Sequence, residues 1–271
     1  MPASSELDPL PATVAALRAA GCVFAEEEAR LLLAAAGAPA ELAELVRRRA
    51  AGLPLEVLLG WAEFCGLRVA VEPGVFVPRR RTEFLVAQAV ARVRPGSVVL
   101  DLCCGAGAVG MAIAAAVGRL ELHAADIDPV AVRCAARNLA STGAQIYTGD
   151  LYDPLPPALQ GRIEILAANA PYVPTAAIGL MPPEARDHEP RIALDGGPDG
   201  VEVHRRVAAG APRWLAPGGA LLIEAGQDQA EHTAAAMAAA GLVPSITRSE
   251  EWACAVVLGT LPPGEQDVGL P

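Results

Sequence analysis

The chain reads as an α/β protein whose doubly wound, mostly parallel sheet is preceded by a small helical unit and a β-hairpin linker. Three observations predict this. From about residue 83 onward, short apolar runs alternate with helical stretches, the pattern of a parallel sheet covered on both faces. A glycine-rich turn, Gly105-Ala-Gly107, follows the first of these runs. Residues 9–58, by contrast, have helical composition broken at Gly21, Gly37-Ala-Pro39 and Gly52-Leu-Pro54.

In the helical unit the expected helices are 12–20, 26–36 and 41–51, with Leu31, Leu32 and Leu33 sharing a core with Leu42, Leu45 and Val46. So small a unit suits binding rather than chemistry. Between residues 61 and 77 the pattern turns short and strand-like, with Leu67-Arg-Val-Ala-Val71 leading to a Pro73-Gly74 turn. The expected parts are therefore residues 1–58 (recognition), 59–80 (linker) and 81–271 (catalysis). The large part should begin with helix 83–93, strand 97–102, helix 107–117, strand 121–126 and helix 129–140. Strands 145–148 and 163–168, helix 201–213, strand 220–224, helix 228–240 and strand 253–258 follow. The last two strands, with one helix between them, fit a reversed strand at the sheet edge.

Just over half of the 271 residues are hydrophobic but only 4% are aromatic, so Ala, Val and Leu must fill the core. There is no lysine, and all 21 basic residues are arginine; with abundant Ala, Gly and Pro this reads as the codon bias of a GC-rich genome. The net charge of -10 argues against broad binding to a phosphate backbone, so no nucleic acid partner is expected. Arg47-Arg48-Arg49 and Arg79-Arg80-Arg81 are the basic runs, and the first is expected at the solvated end of a helix. Six cysteines without C-x-x-C spacing read as small core residues, neither disulfides nor metal ligands. A cytoplasmic location is expected, since no signal peptide or membrane span is visible.

The apolar run Val98-Val-Leu-Asp-Leu102 enters Cys103-Cys-Gly105-Ala-Gly107 and then a helix. Such a turn lets the backbone approach a ligand at the carboxyl edge of a strand. Asp126, at the end of the next strand, can accept both hydroxyls of a ribose, and Asp150, after the third, is placed to meet an adenine edge. Gly110 completes the pattern Gly105-x-Gly107-x-x-Gly110, so the glycines alone leave a nicotinamide dinucleotide open. Asp101 favours S-adenosyl-L-methionine, because a carboxylate there suits a cationic amino group and sulfonium and sits awkwardly beside a pyrophosphate. A purely structural Asp101, bonded to loop N–H groups, is compatible with either.

The strand ending at Ala168 runs into Asn169-Ala170-Pro171-Tyr172. This resembles the Asn-Pro-Pro-Tyr motif of methyltransferases acting on planar nitrogens. An amide or exocyclic amine is a poor nucleophile because its lone pair is delocalised. The Asn169 side-chain carbonyl and the Ala170 backbone carbonyl can accept its two N–H hydrogens, orient it, and stabilise the positive charge that develops, while Tyr172 packs on the flat group. The segments Pro54-Leu-Glu-Val-Leu-Leu-Gly60, Val71-Glu-Pro-Gly-Val-Phe-Val-Pro-Arg79, Thr82-Glu83, His188-Glu-Pro-Arg-Ile-Ala-Leu-Asp-Gly-Gly-Pro-Asp-Gly200 and Trp214-Leu-Ala-Pro-Gly-Gly219 extend the likeness. Together they resemble, over roughly residues 53–245, the release-factor glutamine methyltransferases (HemK/PrmC type).

That resemblance implies a Rossmann-like, seven-stranded methyltransferase domain and methylation of the Gln amide in the Gly-Gly-Gln motif of a peptide chain release factor. It implies catalytic roles for Asn169, Ala170, Pro171 and Tyr172. It places the cofactor against Asp101, Cys103, Gly105, Ala106, Gly107, Asp126, Ile127, Asp150, Leu151 and Asn169, and the acceptor against Arg79, Arg81, Glu83, His188 and Glu189, with no metal. Three departures bear on the acceptor. Ala170 stands where the family has Pro, although Pro171 still favours an extended Ala170. Arg81 stands where the family has an acid, and the helical appendage is short. A small-molecule amide or amine is the alternative acceptor, ahead of adenine in nucleic acid. His123 is expected to be a satisfied core histidine.

Overall fold

The structure, a computed structural model, describes residues 8–263. Residues 1–7 and 264–271, included in the expected outer parts, lie outside the described residues.

The amino-terminal unit contains helices α1 (Leu10–Ala19), α2 (Ala25–Ala35), α3 (Pro39–Ala50) and the short α4 (Leu55–Leu59). Its core is small: Leu17, Ala25, Ala29 and Leu32 are fully buried, with Leu42, Leu45, Val46 and the α4 leucines packed against them. Leu31 and Leu33, expected in that core, are only half-buried, because neighbours on a helix point about 100° apart and one face takes only Leu32. Arg49 also departs from expectation. It is buried, and its guanidinium holds Glu28 at 2.6 Å and Glu184 at 2.6 Å. The solvated end of α3 is Arg47 and Arg48.

Strands β1 (Trp61–Phe64) and β2 (Leu67–Ala70) pair antiparallel, with Trp61 opposite Ala70. Helix α5 (Glu83–Val90) then leads into the main sheet. Strands β3 (Val98–Leu102), β4 (Glu121–Asp126) and β5 (Gln145–Thr148) alternate with α6 (Ala108–Val117) and α7 (Pro129–Asn138). After β6 (Ile163–Ala168), the chain forms α8 (Pro183–His188), α9 (Glu202–Gly210), β7 (Leu215–Gly226), α10 (Ala230–Ala239), β8 (Val243–Ser249) and β9 (Cys254–Thr260). The seven strands lie in the order β5-β4-β3-β6-β7-β9-β8. The first five run parallel, and β9 is antiparallel to both β7 and β8.

Two features of this sheet go beyond the sequence reading. β8 was not expected, because Pro244 and alternating exposed residues do not read as a strand; at a sheet edge a proline needs no outward partner. β7 begins at Leu215, earlier than expected. Its pairing with β6 jumps from Ile163↔Leu215 to Ile165↔Ala220, so Pro217-Gly218-Gly219 is accommodated as an irregularity inside the strand.

The sheet buries apolar side chains on both faces. One layer is built from residues such as Val99, Ile113 and Leu222, the other from Leu100, Leu166 and Ile223. Connections leave β3 toward β4 on one side and β6 lies on the other, which makes the β3/β6 boundary a switch point where ligands bind at the carboxyl ends. Leu102 pairs with Ala168, so the glycine turn and Asn169 open side by side at that edge.

Candidate active site

A cavity at this edge is lined on one side by Asp101, Cys103, Gly105, Ala106, Asp126, Ile127, Asp150, Leu151 and Asn169, and on the other by Phe76, Arg79, Arg81, Thr82 and Tyr172. Asp101 is 1% exposed, and its Oδ2 accepts from Gly110 N at 2.8 Å. Burial, with a contribution from nearby Asp126, pushes its pKa up to about 8. A Cβ on Gly110 would lie 3.1 Å from that same oxygen. The third glycine therefore makes room for a carboxylate, and the dinucleotide pattern has a different origin here.

Asp126 takes Gly105 N at 2.8 Å on Oδ2 and Asp128 N at 2.9 Å on Oδ1, which ties the end of β4 to the glycine turn. Burial raises its pKa as well. Asp128 caps α7 by accepting from Val130 N at 2.8 Å. The Asp150 carboxylate is held 2.6 Å from Arg206 Nη2 on α9. Asp101, Asp126, Asp128 and Asp150 all face this cavity. Such a wall fits a cationic ligand rich in hydroxyls, as S-adenosyl-L-methionine is, and opposes a pyrophosphate.

Gly107 does not line the cavity. It adopts φ 76° at the start of α6, and a Cβ there would lie 3.1 Å from Ala135 Cβ and Leu139 Cδ1. Its smallness serves the approach of α6 to α7. The cysteines of the loop are burial-raised thiols: both Cys103 and Cys104 lie well above the ordinary range, which makes them inert walls.

On the acceptor side, Asn169 Nδ2 donates to Thr82 Oγ1 at 3.2 Å, leaving Oδ1 for the cavity. The Tyr172 hydroxyl donates to Glu224 Oε1 at 3.0 Å, and the Arg81 guanidinium lies 5.4 Å from the Tyr172 ring centroid. Burial, and secondarily the Glu224 charge, raise the phenol far above its usual range, so it stays protonated. Behind the motif, Gln229 Nε2 donates to Tyr172 O at 2.8 Å and Val173 N to Leu194 O at 3.0 Å. A Cβ on Gly196 would fall 2.7 Å from Tyr172 Cα and 2.8 Å from Pro171 O, which explains a glycine in the Asp-Gly-Gly segment. Ala170 is buried to 1%, so the loop is packed firmly without the second proline.

Of the five residues expected at the acceptor, only Arg79 and Arg81 line the cavity. Glu83 turns back to accept from Cys65 N at 3.0 Å, bracing the hairpin. Glu189 is buried and accepts from Arg79 Nη2 at 2.6 Å and Val77 N at 3.2 Å, so it works from behind the wall. His188, at the end of α8, faces Gly52 of the helical unit rather than the cavity. Thr82, Phe76, Arg206 and Glu224 are the site residues that the sequence reading missed. Thr82 and Phe76 lay inside segments already singled out, whereas Arg206 and Glu224 carry no local signal. His123 is a satisfied core histidine, with Nδ1 3.1 Å from Tyr147 Oη and Nε2 3.3 Å from Glu121 Oε1. No cluster of metal ligands and no helix long and apolar enough to cross a membrane occurs among the described residues.

Residues 66–179 match the family model described as the methyltransferase small domain. The chain is 40% identical over 198 residues to a release factor glutamine methyltransferase of Geobacter sulfurreducens, covering 71% of this chain and 69% of that one. It is 38% identical over 216 residues to the release factor glutamine methyltransferase of Moorella thermoacetica, covering 77% and 74%. It is also 38% identical over 205 residues to the 4-amino-L-phenylalanine/4-methylamino-L-phenylalanine methyltransferase of Streptomyces pristinaespiralis, covering 72% and 69%. In fold, a methyltransferase from Pyrococcus furiosus superposes with a TM-score of 0.56 at 15% identity, covering 73% of this chain and 90% of that one.

Proposed function

Because the chain belongs to the release factor glutamine methyltransferase family, we propose that it methylates the side-chain amide nitrogen of the Gly-Gly-Gln glutamine of a peptide chain release factor. The observation that carries this reading is Asn169, which lines the cavity while its carboxamide nitrogen donates to Thr82, leaving the oxygen free to accept. S-adenosyl-L-methionine, when bound, supplies an electrophilic methyl group on a sulfonium. The chain's residues do the rest. Asn169 Oδ1 and the Ala170 carbonyl accept the two hydrogens of the acceptor amide, and Pro171 keeps Ala170 extended. These acceptors gain strength as positive charge grows on the nitrogen. Tyr172 and Phe76 flank the flat group and exclude water. Asp101 meets the cationic end of the cofactor, Asp126 its ribose and Asp150 its adenine side. The proton of the methylated amide is lost to water afterwards, so no general base is required.

Residues 1–58 are proposed to dock the protein acceptor, with 59–80 as linker and 81–271 as the catalytic part. The test is incubation of the protein with methyl-labelled cofactor and a release factor. Label on the Gly-Gly-Gln glutamine is expected, and its absence removes this acceptor.

A second reading has its own support. A relative named for 4-amino-L-phenylalanine is as similar as those named for release factors. Two guanidiniums, Arg79 and Arg81, line an acceptor side walled by Phe64 and Phe76, a combination suited to a flat aromatic amine with a carboxylate. Methylation of 4-amino-L-phenylalanine in the parallel assay, with no label on the release factor, would select this reading.

A further inference from the structure

Asn138, the last residue of α7, does not line the cavity, yet its side chain bonds to both halves of the site. Strand β2 ends at Ala70. Ala70 N donates to Asn138 Oδ1 at 2.9 Å, and Ala70 O accepts from Asn138 Nδ2 at 2.9 Å. A carboxamide carries the donor and the acceptor of a peptide unit, so Asn138 takes the place of a neighbouring strand at the hairpin edge. Its NH₂ group has a second proton. That one goes to Ala106 O at 2.8 Å, in the glycine turn that walls the cavity. Cys134, one turn earlier on α7, adds its thiol to Ala70 O at 3.2 Å. The oxygen and both protons of one side chain are thus engaged, two bonds with the hairpin and one with the turn.

The two backbones that meet at Asn138 lead to opposite walls. Ala106 is 2% exposed, and its turn is otherwise tied to β4, with Cys104 N donating to Ala125 O at 3.1 Å and Gly105 N to Asp126 Oδ2 at 2.8 Å. From Ala70 the chain runs past buried Val71, Val75 and Val77 to Phe76 and Arg79 on the acceptor side. A methyl group leaving one wall must arrive at the other, and a misplacement of about 1 Å costs about 100-fold in rate. The main sheet does not set this distance, because β1 and β2 form a sheet of their own. Apolar packing presses the hairpin on α7 without direction, whereas the Asn138 bonds are directional. The pair Arg137–Glu72, at 4.0 Å and partly exposed, is too long and too wet to fix a register.

We propose that Asn138 is a positioning residue for methyl transfer: its carboxamide sets the register of the hairpin, and through it the acceptor wall, against the cofactor turn. Occupancy of the turn and order of the hairpin are then linked, each favouring the other. The inference rests on the reading of the turn as the cofactor site, whichever acceptor is used.

Hydrogen exchange at single amides of the full chain, with and without S-adenosylhomocysteine, tests the link. Gly105 N–H, held by Asp126, reports binding, and Ala70 N–H, held by Asn138, reports the link. In the wild type both should slow, Ala70 by about tenfold. Asn138→Leu keeps the outline without the bonds; Gly105 should still slow, and Ala70 should change by less than about twofold. Asn138→Asp still accepts from Ala70 N but cannot donate to Ala106 O. Its Ala70 amide should be protected before ligand is added and gain little afterwards. Arg137→Ala, the adjacent control, removes only the Glu72 pair and should respond like the wild type. With a methylated acceptor in hand, N138L should lower kcat by about tenfold or more, and R137A by less than about twofold. Slowing at Gly105 with none at Ala70 in the wild type overturns the proposal. So does an N138L enzyme with wild-type kcat or with the full response at Ala70. No slowing at Gly105 in the wild type would instead remove the cofactor reading on which the proposal stands.

Discussion

The helical unit and the sheet domain are held in place by different forces. The sheet domain buries two apolar layers, one on each face, with dozens of Ala, Val, Leu and Ile side chains removed from water. The helical unit has four fully buried residues, two of them alanine. What it has instead is Arg49, 6% exposed, between Glu28 of α2 and Glu184 of α8. Burial of apolar area is non-directional and gives the catalytic part its rigidity. An ion pair is directional, and this one reaches from the appendage to the segment that precedes Glu189 and, through it, Arg79 at the cavity. The appendage is thereby oriented by charge where the body is stabilised by area.

The most drastic break in this comparison lies wholly in the body. Asn169→Ala should lower methyl transfer by at least about 100-fold with an unchanged melting curve, because the residue contributes alignment and not core. Steady-state rates alongside calorimetry check this. Next is Arg49→Ala, which leaves the buried Glu28 without its partner. The helical unit should lose about 3 kcal/mol and be cleaved first in limited proteolysis, while the isolated cofactor site keeps its affinity. Leu32→Ala should destabilise the same unit by about 2–3 kcal/mol. If Leu32→Ala proves far costlier than Arg49→Ala, the distinction between charge and area fails.

A smaller effect is expected from pH. The folded chain keeps the Asp101 proton up to about pH 8, whereas an unperturbed carboxyl loses it near 3.8. The folded state therefore binds more protons across that window, and unliganded stability should fall as pH climbs from about 4 to about 8 and then level off. Asp101→Asn should flatten this slope. A cation bound beside Asp101 favours its ionised form, so cofactor binding at pH 7 should release a proton. Calorimetry in buffers of differing ionisation enthalpy would detect the release, and the variant should lack it. The smallest effect belongs to the exposed pair Arg248–Glu231. Glu231→Ala should change Tm within experimental error.

What could be read from the sequence was whatever a local pattern records. Alternating runs disclosed β3 to β6 and their helices, Asp101 and Asp126 followed from their place at strand ends, and Asn169 to Tyr172 stood out as a motif. Features set by distant neighbours were hidden. Glu184 meets Arg49 from 135 residues away, and Glu224 meets the Tyr172 hydroxyl from 52 residues away. β8 was masked by Pro244, which only an edge position tolerates. The packing of Gly107 against α7 was hidden too, because a glycine needed for helix approach has the same letter as one needed for a cofactor.

The contact between Gly110 and Asp101 has an evolutionary corollary. A side chain at 110 intrudes on the Asp101 carboxylate, and without that carboxylate the Gly110 N–H loses its acceptor. Each position is permissive only given the state of the other, so substitutions there should be strongly epistatic. A lineage drifting toward a different cofactor would have to cross a valley in which both single changes are disfavoured. The acid and the third glycine travel as one character.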